Sequence, residues 1–362
     1  MVGLLFSTVL VFAACSKSDL EKNGSVKEVF KIGAILPLTG PAASAGTDSK
    51  NGLVLAVEEI NKSQKFNKSI ELVIEDSKAE AKEAVSALNK INLSDKAIAI
   101  YTQLSNVSLA IKPITERSSQ VLIAVSGAGN LTEDSRNTYR NYIKPSYYSE
   151  AVSQMLKDSL GVEKIGVLYA NTEFGKSIKS NIVNSFEKNS IETIFEVAYD
   201  EKSNDLKSTI LKGIGKYSVK NIYVIGVGKS LGILIKQLRE LNYEGRIIGG
   251  IEVPYPDVLN IAEKAANGLI YVDLSFDANN ITAYNKSFVA AYREKYNKLP
   301  TTSSALAYDA MNLLFDAVKL QGINEINLNL LNYPKIGVNG NIFVEENDIY
   351  YELALKKINI ND

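Results

Sequence analysis

Two short segments in the first third of the chain could hold a small anion. TQLSN (102–106) closes an apolar run and precedes a helical pattern. Its Ser105 and Asn106 suit a helix start, where the first N–H groups have no intrahelical partner. A hydroxyl beside free N–H groups can receive a carboxylate. Ser105 can equally do no more than cap its own helix. SGAGNLT (126–132) closes the next apolar run, and its glycines allow close backbone approach. Gly127 and Gly129 could open a dinucleotide fingerprint, but Thr132 stands where the third glycine belongs. Two neighbouring hydroxyl-rich turns at one sheet edge would form an anion cradle.

Three other segments supply different chemistry. In GGIEVPYP (249–256), Glu252 follows an apolar run and could pair with a ligand ammonium, or lie solvated in a loop. In NTEFGKS (171–177), Phe174 could wall a cleft or pack in a core. GVGKS (226–230) mimics the end of a phosphate-binding loop, but Tyr223 replaces the first glycine, so nucleotide binding is not expected.

Catalysis finds little support. The chain has no His, which removes the commonest general base and zinc ligand. No paired-carboxylate spacing or serine–lysine elbow is evident. The 40 basic and 41 acidic residues nearly cancel, which argues against a nucleic-acid partner. No cofactor or metal is expected.

The elements that must position these residues alternate along the chain. Strand patterns at 30–36, 70–75, 97–101 and 121–125 are separated by helical patterns at 46–62, 79–92 and 106–119. After Pro145 the rhythm restarts. Helices are expected at 149–160, 174–189, 205–217 and 230–242, and strands at 164–170, 192–198, 221–226 and 246–250. Two helices (281–296 and 302–321) and strands near 341–344 and 349–356 close the chain. The expected fold class is α/β, with two doubly wound Rossmann-like lobes joined by a three-segment hinge. Residues 29–145 and 277–333 are assigned to the first lobe, and 146–276 and 334–362 to the second. Ligands of open α/β sheets bind beyond the carboxyl ends of the strands, so a cleft between the lobes should gather the candidates.

The N-terminus reads as an address. Residues 2–14 are apolar and end in two alanines before Cys15, the one cysteine of the chain. This resembles a bacterial lipoprotein signal (1–15), with Cys15 as the lipidated residue and 16–28 as a polar tether. No Lys or Arg precedes the run, and Phe12 stands where Leu is usual. An extracytoplasmic, lipid-anchored protein is expected.

Several segments together resemble the type I periplasmic binding proteins of the leucine/isoleucine/valine-binding family. They are KIGAILPLTGPAASAG (31–46), NGLVLAVEEIN (51–61), LVIEDSKAEAKEAVSALNKI (72–91), LIAVSGAGNLT (122–132), KIGVLYANTEFGKS (164–177), SALAYDAMNLLFDAV (304–318) and GVNGNIFVEENDIYY (337–351). The resemblance implies a solute-binding component of an ABC importer, with permease subunits as partners and a monomeric state. It implies that Ser105, Ser126 and Ala128 hold a ligand α-carboxylate, with Ser44, Gln103, Leu104 and Gly127 beside them. Glu252 would receive the ammonium and Phe174 would shield the ligand. Tyr148 and Val227 occupy the remaining second-lobe positions, departing from an aspartate and an aromatic that the family often carries. The expected ligand is a small molecule, an amino acid. An amide- or urea-type ligand and a sensing receptor of the same fold are the alternatives.

Overall fold

The computed structural model describes residues 28–63 and 68–360. The expected signal at 1–15, with Cys15, and the tether up to residue 27 lie outside the described residues.

The first sheet is built around three short strands that are buried along their whole length, with two longer and partly exposed ones beside them. β1 (Glu28–Leu36) pairs in parallel with β2 (Lys68–Asp76) on one side and β3 (Ala99–Gln103) on the other. Then follow β4 (Val121–Val125) and β5 (Thr138–Arg140), again parallel. Alternate residues of these strands feed two separate cores. Ile32, Ala34 and Leu36 face Leu53 and Leu306, while Ile35, Ile100 and Leu122 face Leu88, Ile91 and Ile111. The period of two thus demands a helical layer on each face. These layers are α1 (Ala43–Lys62) on one side, and α2 (Ala81–Ser94) and α3 (Ser105–Ser118) on the other.

The second sheet repeats the plan. α4 (Pro145–Leu160), β6 (Lys164–Ala170), α5 (Glu173–Lys188) and β7 (Glu192–Tyr199) come first. α6 (Lys207–Ile214), β8 (Asn221–Ile225), α7 (Gly228–Glu240), β9 (Arg246–Gly249), α8 (Pro256–Ala262) and β10 (Ile270–Leu274) follow. Strand order is β10-β9-β8-β6-β7, all parallel. The three-residue β5 and the run at β10 had no counterpart in the sequence-based reading.

The tail then returns to the first sheet. α9 (Lys286–Tyr296) starts late, because 282–285 form a turn in which Asn285 Oδ1 accepts from Thr282 N at 2.7 Å. α10 (Thr302–Gln321) packs along α1 so closely that a Cβ at Gly52 would stand 2.2 Å from the Ser304 carbonyl oxygen. No larger residue fits at 52 without parting the helices.

The expected assignment of 334–362 to the second lobe is corrected by the strand pairing. β11 (Lys335–Gly337), β12 (Gly340–Glu345) and β13 (Asp348–Tyr351) extend the first sheet, with β13 beside β5. Only β14 (Leu353–Lys357) joins the second sheet, antiparallel to β10. The run 349–356, read as one strand, is divided at Glu352, where the chain crosses between sheets; the crossing expected near 333 does not occur there.

The cause is a buried ion pair. Arg140 Nε donates to Asp348 Oδ1 at 2.7 Å, with both side chains 1% exposed. Lys144 Nζ approaches the other carboxylate oxygen at 3.0 Å. Neither charge tolerates burial alone, so the hairpin is bound to β5. Arg140→Ala is expected to lower stability by about 3–5 kcal/mol, because it leaves Asp348 buried beside a single lysine. Arg140→Met combined with Asp348→Leu should recover only part of that loss, because the carbonyls of Ser126, Ala128 and Gly129 still lose their donor. Urea unfolding followed by circular dichroism measures both.

Candidate functional site

β3 and β4 end side by side, and the turns that follow them form one wall of the cleft. After Gln103 the chain passes through Leu104 at φ +82°, ψ 139°, a region that residues with a Cβ rarely enter. This twist starts α3 at Ser105. Leu104, not Ser105, takes the cap position, and it makes no side-chain hydrogen bond there. The Ser105 hydroxyl accepts from Ser126 Oγ at 3.2 Å, and Ser126 Oγ accepts from Ala128 N at 3.2 Å.

The turn 126–129 is shaped from behind by Arg140. Nη1 donates to the carbonyls of Ser126 (3.1 Å) and Ala128 (2.5 Å), and Nη2 to that of Gly129 (3.1 Å). Three carbonyl oxygens are thereby turned away from the cleft. A carboxylate brought to this wall would meet hydroxyl and N–H donors rather than carbonyl dipoles.

The opposite wall comes from the second sheet. Thr172 caps α5 by accepting from Gly175 N at 3.1 Å, which sets Phe174 on the first turn. The Phe174 ring lies 3.0 Å from where a Cβ at Gly127 would stand, so the glycine permits the approach. Phe174 both packs on the core and lines the cavity, so the two readings of it coexist. Ser177 Oγ donates across the cleft to Gly127 O at 3.0 Å. At α7 the second wall again touches the first. Gly228 has φ +57°, and a Cβ there would stand 2.5 Å from Pro41 O. The GVGKS segment therefore serves as wall and contact, with Val227 as the residue before the helix.

Glu252 lies just past β9, half-buried on the cavity wall. Its carboxylate accepts from the Tyr142 hydroxyl, a residue just past β5. Burial, only partly offset by that hydrogen bond, pushes its pKa up to about 7. Among the described residues no Lys or Arg pairs with it. It is thus a carboxyl withdrawn from water and lacking a counter-ion, not a solvated loop residue. Beside it, Tyr255 and Ser303 share a hydrogen bond between hydroxyls that joins the two walls. α10 holds Ser303 in place through the capping box of Thr301 and Ser304. Thr301 Oγ1 in turn donates to buried Asp48 at 2.9 Å.

These walls enclose a cavity of about 480 Å³. Gln103, Leu104, Ser105, Gly127, Phe174, Val227 and Glu252 all line it. The other four expected site residues do not. Ser126 and Ala128 are buried one layer behind the wall, positioning it. Tyr148 is buried in the second-lobe core, where its hydroxyl donates to Val272 O at 3.2 Å and meets the Tyr223 hydroxyl at 3.2 Å. Ser44 on α1 does not line the cavity, whereas Ala45 and Ala42, the residue before the helix, do. Sequence reasoning passed over Tyr142, Tyr255 and Ser303. Tyr255 belongs to the segment that carries Glu252 and could have been noted there. Tyr142 and Ser303 carried no local signal. Among the described residues no group of His, Cys, Asp or Glu is arranged to hold a metal ion, and no helix is long and apolar enough to cross a membrane.

The fold matches known proteins. The Leu/Ile/Val-binding protein BraC3 of Rhizobium johnstonii is 24% identical, over 81% of this chain and 80% of its own length. The branched-chain amino acid transporter substrate-binding protein LivJ of Streptococcus pneumoniae, solved with isoleucine, superposes with a TM-score of 0.84. It is 23% identical and the match covers 92% of this chain and 97% of that one. A solute-binding protein of an ABC transporter from Rhodopseudomonas palustris, solved with 3,4-dihydroxybenzoic acid, superposes with a TM-score of 0.80. It is 22% identical, over 92% of this chain and 94% of that one. The family model described as periplasmic binding protein matches residues 29–326, which run from β1 to β10 and include the residues named above on the cleft walls. With two facing α/β lobes and a cavity between their strand ends, this chain belongs to the periplasmic binding protein family.

Proposed function

We propose that this protein is an extracytoplasmic solute-binding component of an ABC importer that closes over a small amino acid and performs no reaction on it. The lipid anchor at Cys15 and docking to permease subunits belong to the same reading. The carrying observation is the polarity of the cavity: hydroxyl and N–H donors stand on the first-lobe wall and the unpaired Glu252 carboxyl on the second.

A zwitterion satisfies both walls at once. Its α-carboxylate takes Ser105 and the free N–H groups at the start of α3. Its α-ammonium takes Glu252, with Tyr142 holding the carboxylate in place. Phe174 and Leu306 offer apolar surface to the rest of the ligand. An ion pair closed off from water is stronger than one at a surface, so closure and binding reinforce each other. The names of the related proteins, which point to branched-chain amino acids, agree with an amino-acid ligand. A carboxylate without an ammonium, like the dihydroxybenzoic acid of one neighbour, would instead require Glu252 to be protonated.

Two variants separate these ligands. Glu252→Ala should weaken binding of a zwitterionic amino acid by at least about tenfold, or ~1.4 kcal/mol, and leave an amine-free carboxylate unaffected. Ser105→Ala should weaken both. Isothermal titration calorimetry measures each; unchanged amino-acid affinity in Glu252→Ala would rule out its role.

The pH dependence follows from the same carboxyl. Because its pKa in the empty cavity is raised to about 7, the ionised form that receives an ammonium is scarce at low pH. Affinity for a zwitterion should therefore rise with pH and level off above about 7, with at least a tenfold gain between pH 5.5 and 8. The empty protein should respond the other way. The raised pKa favours the folded state while the carboxyl is protonated, and this contribution fades as pH rises through about 7. Titrations across this range, compared with Glu252→Gln, test both signs.

A further inference from the structure

Gln103 ends β3 on the cavity wall with only 5% of its surface exposed. A buried amide must be satisfied at both ends or cost affinity and stability. Its Oε1 accepts from Ser49 Oγ at 3.2 Å. Among the described residues its Nε2 takes no protein partner. The same Ser49 hydroxyl lies 3.5 Å from Ser303 O, which places the Gln103 amide next to the Ser303–Tyr255 hydroxyl pair. The cavity wall thus carries further polar groups besides Ser105 and Glu252: the Gln103 amide and the Ser303 and Tyr255 hydroxyls.

We propose that these groups read the side chain of the ligand, and that the ligand is an α-amino acid with a neutral side-chain amide, of the asparagine or glutamine type. The inference rests on the amino-acid reading of the cleft and narrows it. An amide complements the Gln103 amide in either sense, since each carries a donor and an acceptor. Its remaining groups find the Ser303 and Tyr255 hydroxyls.

The rival side chains fit less well. A branched aliphatic chain would displace water from the Gln103 N–H groups and leave them unpaired. Sites built around such donors reject analogues that lack the matching acceptor. A side-chain carboxylate would enter beside Glu252, while the two lysines on the wall, Lys78 and Lys202, are exposed residues.

Calorimetric titration of the protein with glutamine, asparagine, leucine and isoleucine tests the proposal. The better of the two amides should bind at least tenfold more tightly than either aliphatic residue. Gln103→Leu should reverse the order, and Gln103→Glu, of equal size, should weaken binding of both amides and aliphatic residues, because either ligand then covers a carboxylate. If Gln103→Leu does not fold, the wild-type ratio decides alone. Leucine or isoleucine binding as tightly as the amides would overturn the role of Gln103 and leave the amino-acid reading standing. No binding by any of the four would overturn both.

Discussion

The cleft depends on one buried guanidinium. Arg140 sits at the end of β5, a three-residue strand of the first sheet, and reaches in two directions. Toward the cleft it gathers the carbonyls of Ser126, Ala128 and Gly129. Away from it, Arg140 pairs with Asp348 of the terminal hairpin. A guanidinium has five donors in a rigid fork and no acceptor, so it can satisfy several oxygens at once without competing for donors. One side chain therefore shapes the binding turn and decides which sheet receives the last hairpin. The cost of burying its charge is met by Asp348, which Lys144 also approaches.

The two lobes meet through small groups. Ser177 reaches Gly127, Tyr255 reaches Ser303, Tyr142 reaches Glu252, and Gly228 lies against Pro41. Glycines at 127 and 228 allow these approaches, because a Cβ at either position would press on the opposite lobe. The contacts named here combine hydrogen bonds with close apolar approaches such as Phe174 on Gly127. Between them lies a carboxyl without a counter-ion. A group kept at such a cost is expected where a ligand supplies the missing charge.

Much of the fold was legible in residue order. Short β-branched runs separated by helical periods identified two α/β halves, because a parallel strand covered on both faces is apolar throughout. The same reasoning missed the division of 349–356, since both halves of that run are strand-forming and only pairing distinguishes them. Within the site, Ser105, Gly127, Phe174 and Glu252 were found because each follows a strand's carboxyl end. Tyr142 and Ser303 were not: one follows a three-residue strand and the other opens a helix more than 150 residues from the turns it faces. Ser44 and Tyr148 were placed by resemblance, but Ser44 does not line the cavity and core packing holds Tyr148 elsewhere.

Composition, strand periodicity and turn chemistry by themselves determined the fold class, the absence of histidine chemistry and the segments bearing donors and a carboxylate. These are local properties, readable within a few residues. Tertiary structure alone decided that Arg140 orients the 126–129 turn, that β13 and β14 lie in different sheets, and that Glu252 faces its cavity with a tyrosine and, among the described residues, no cation. Each of these depends on contacts between residues far apart in the chain, where burial sets the strength of every charge and hydrogen bond.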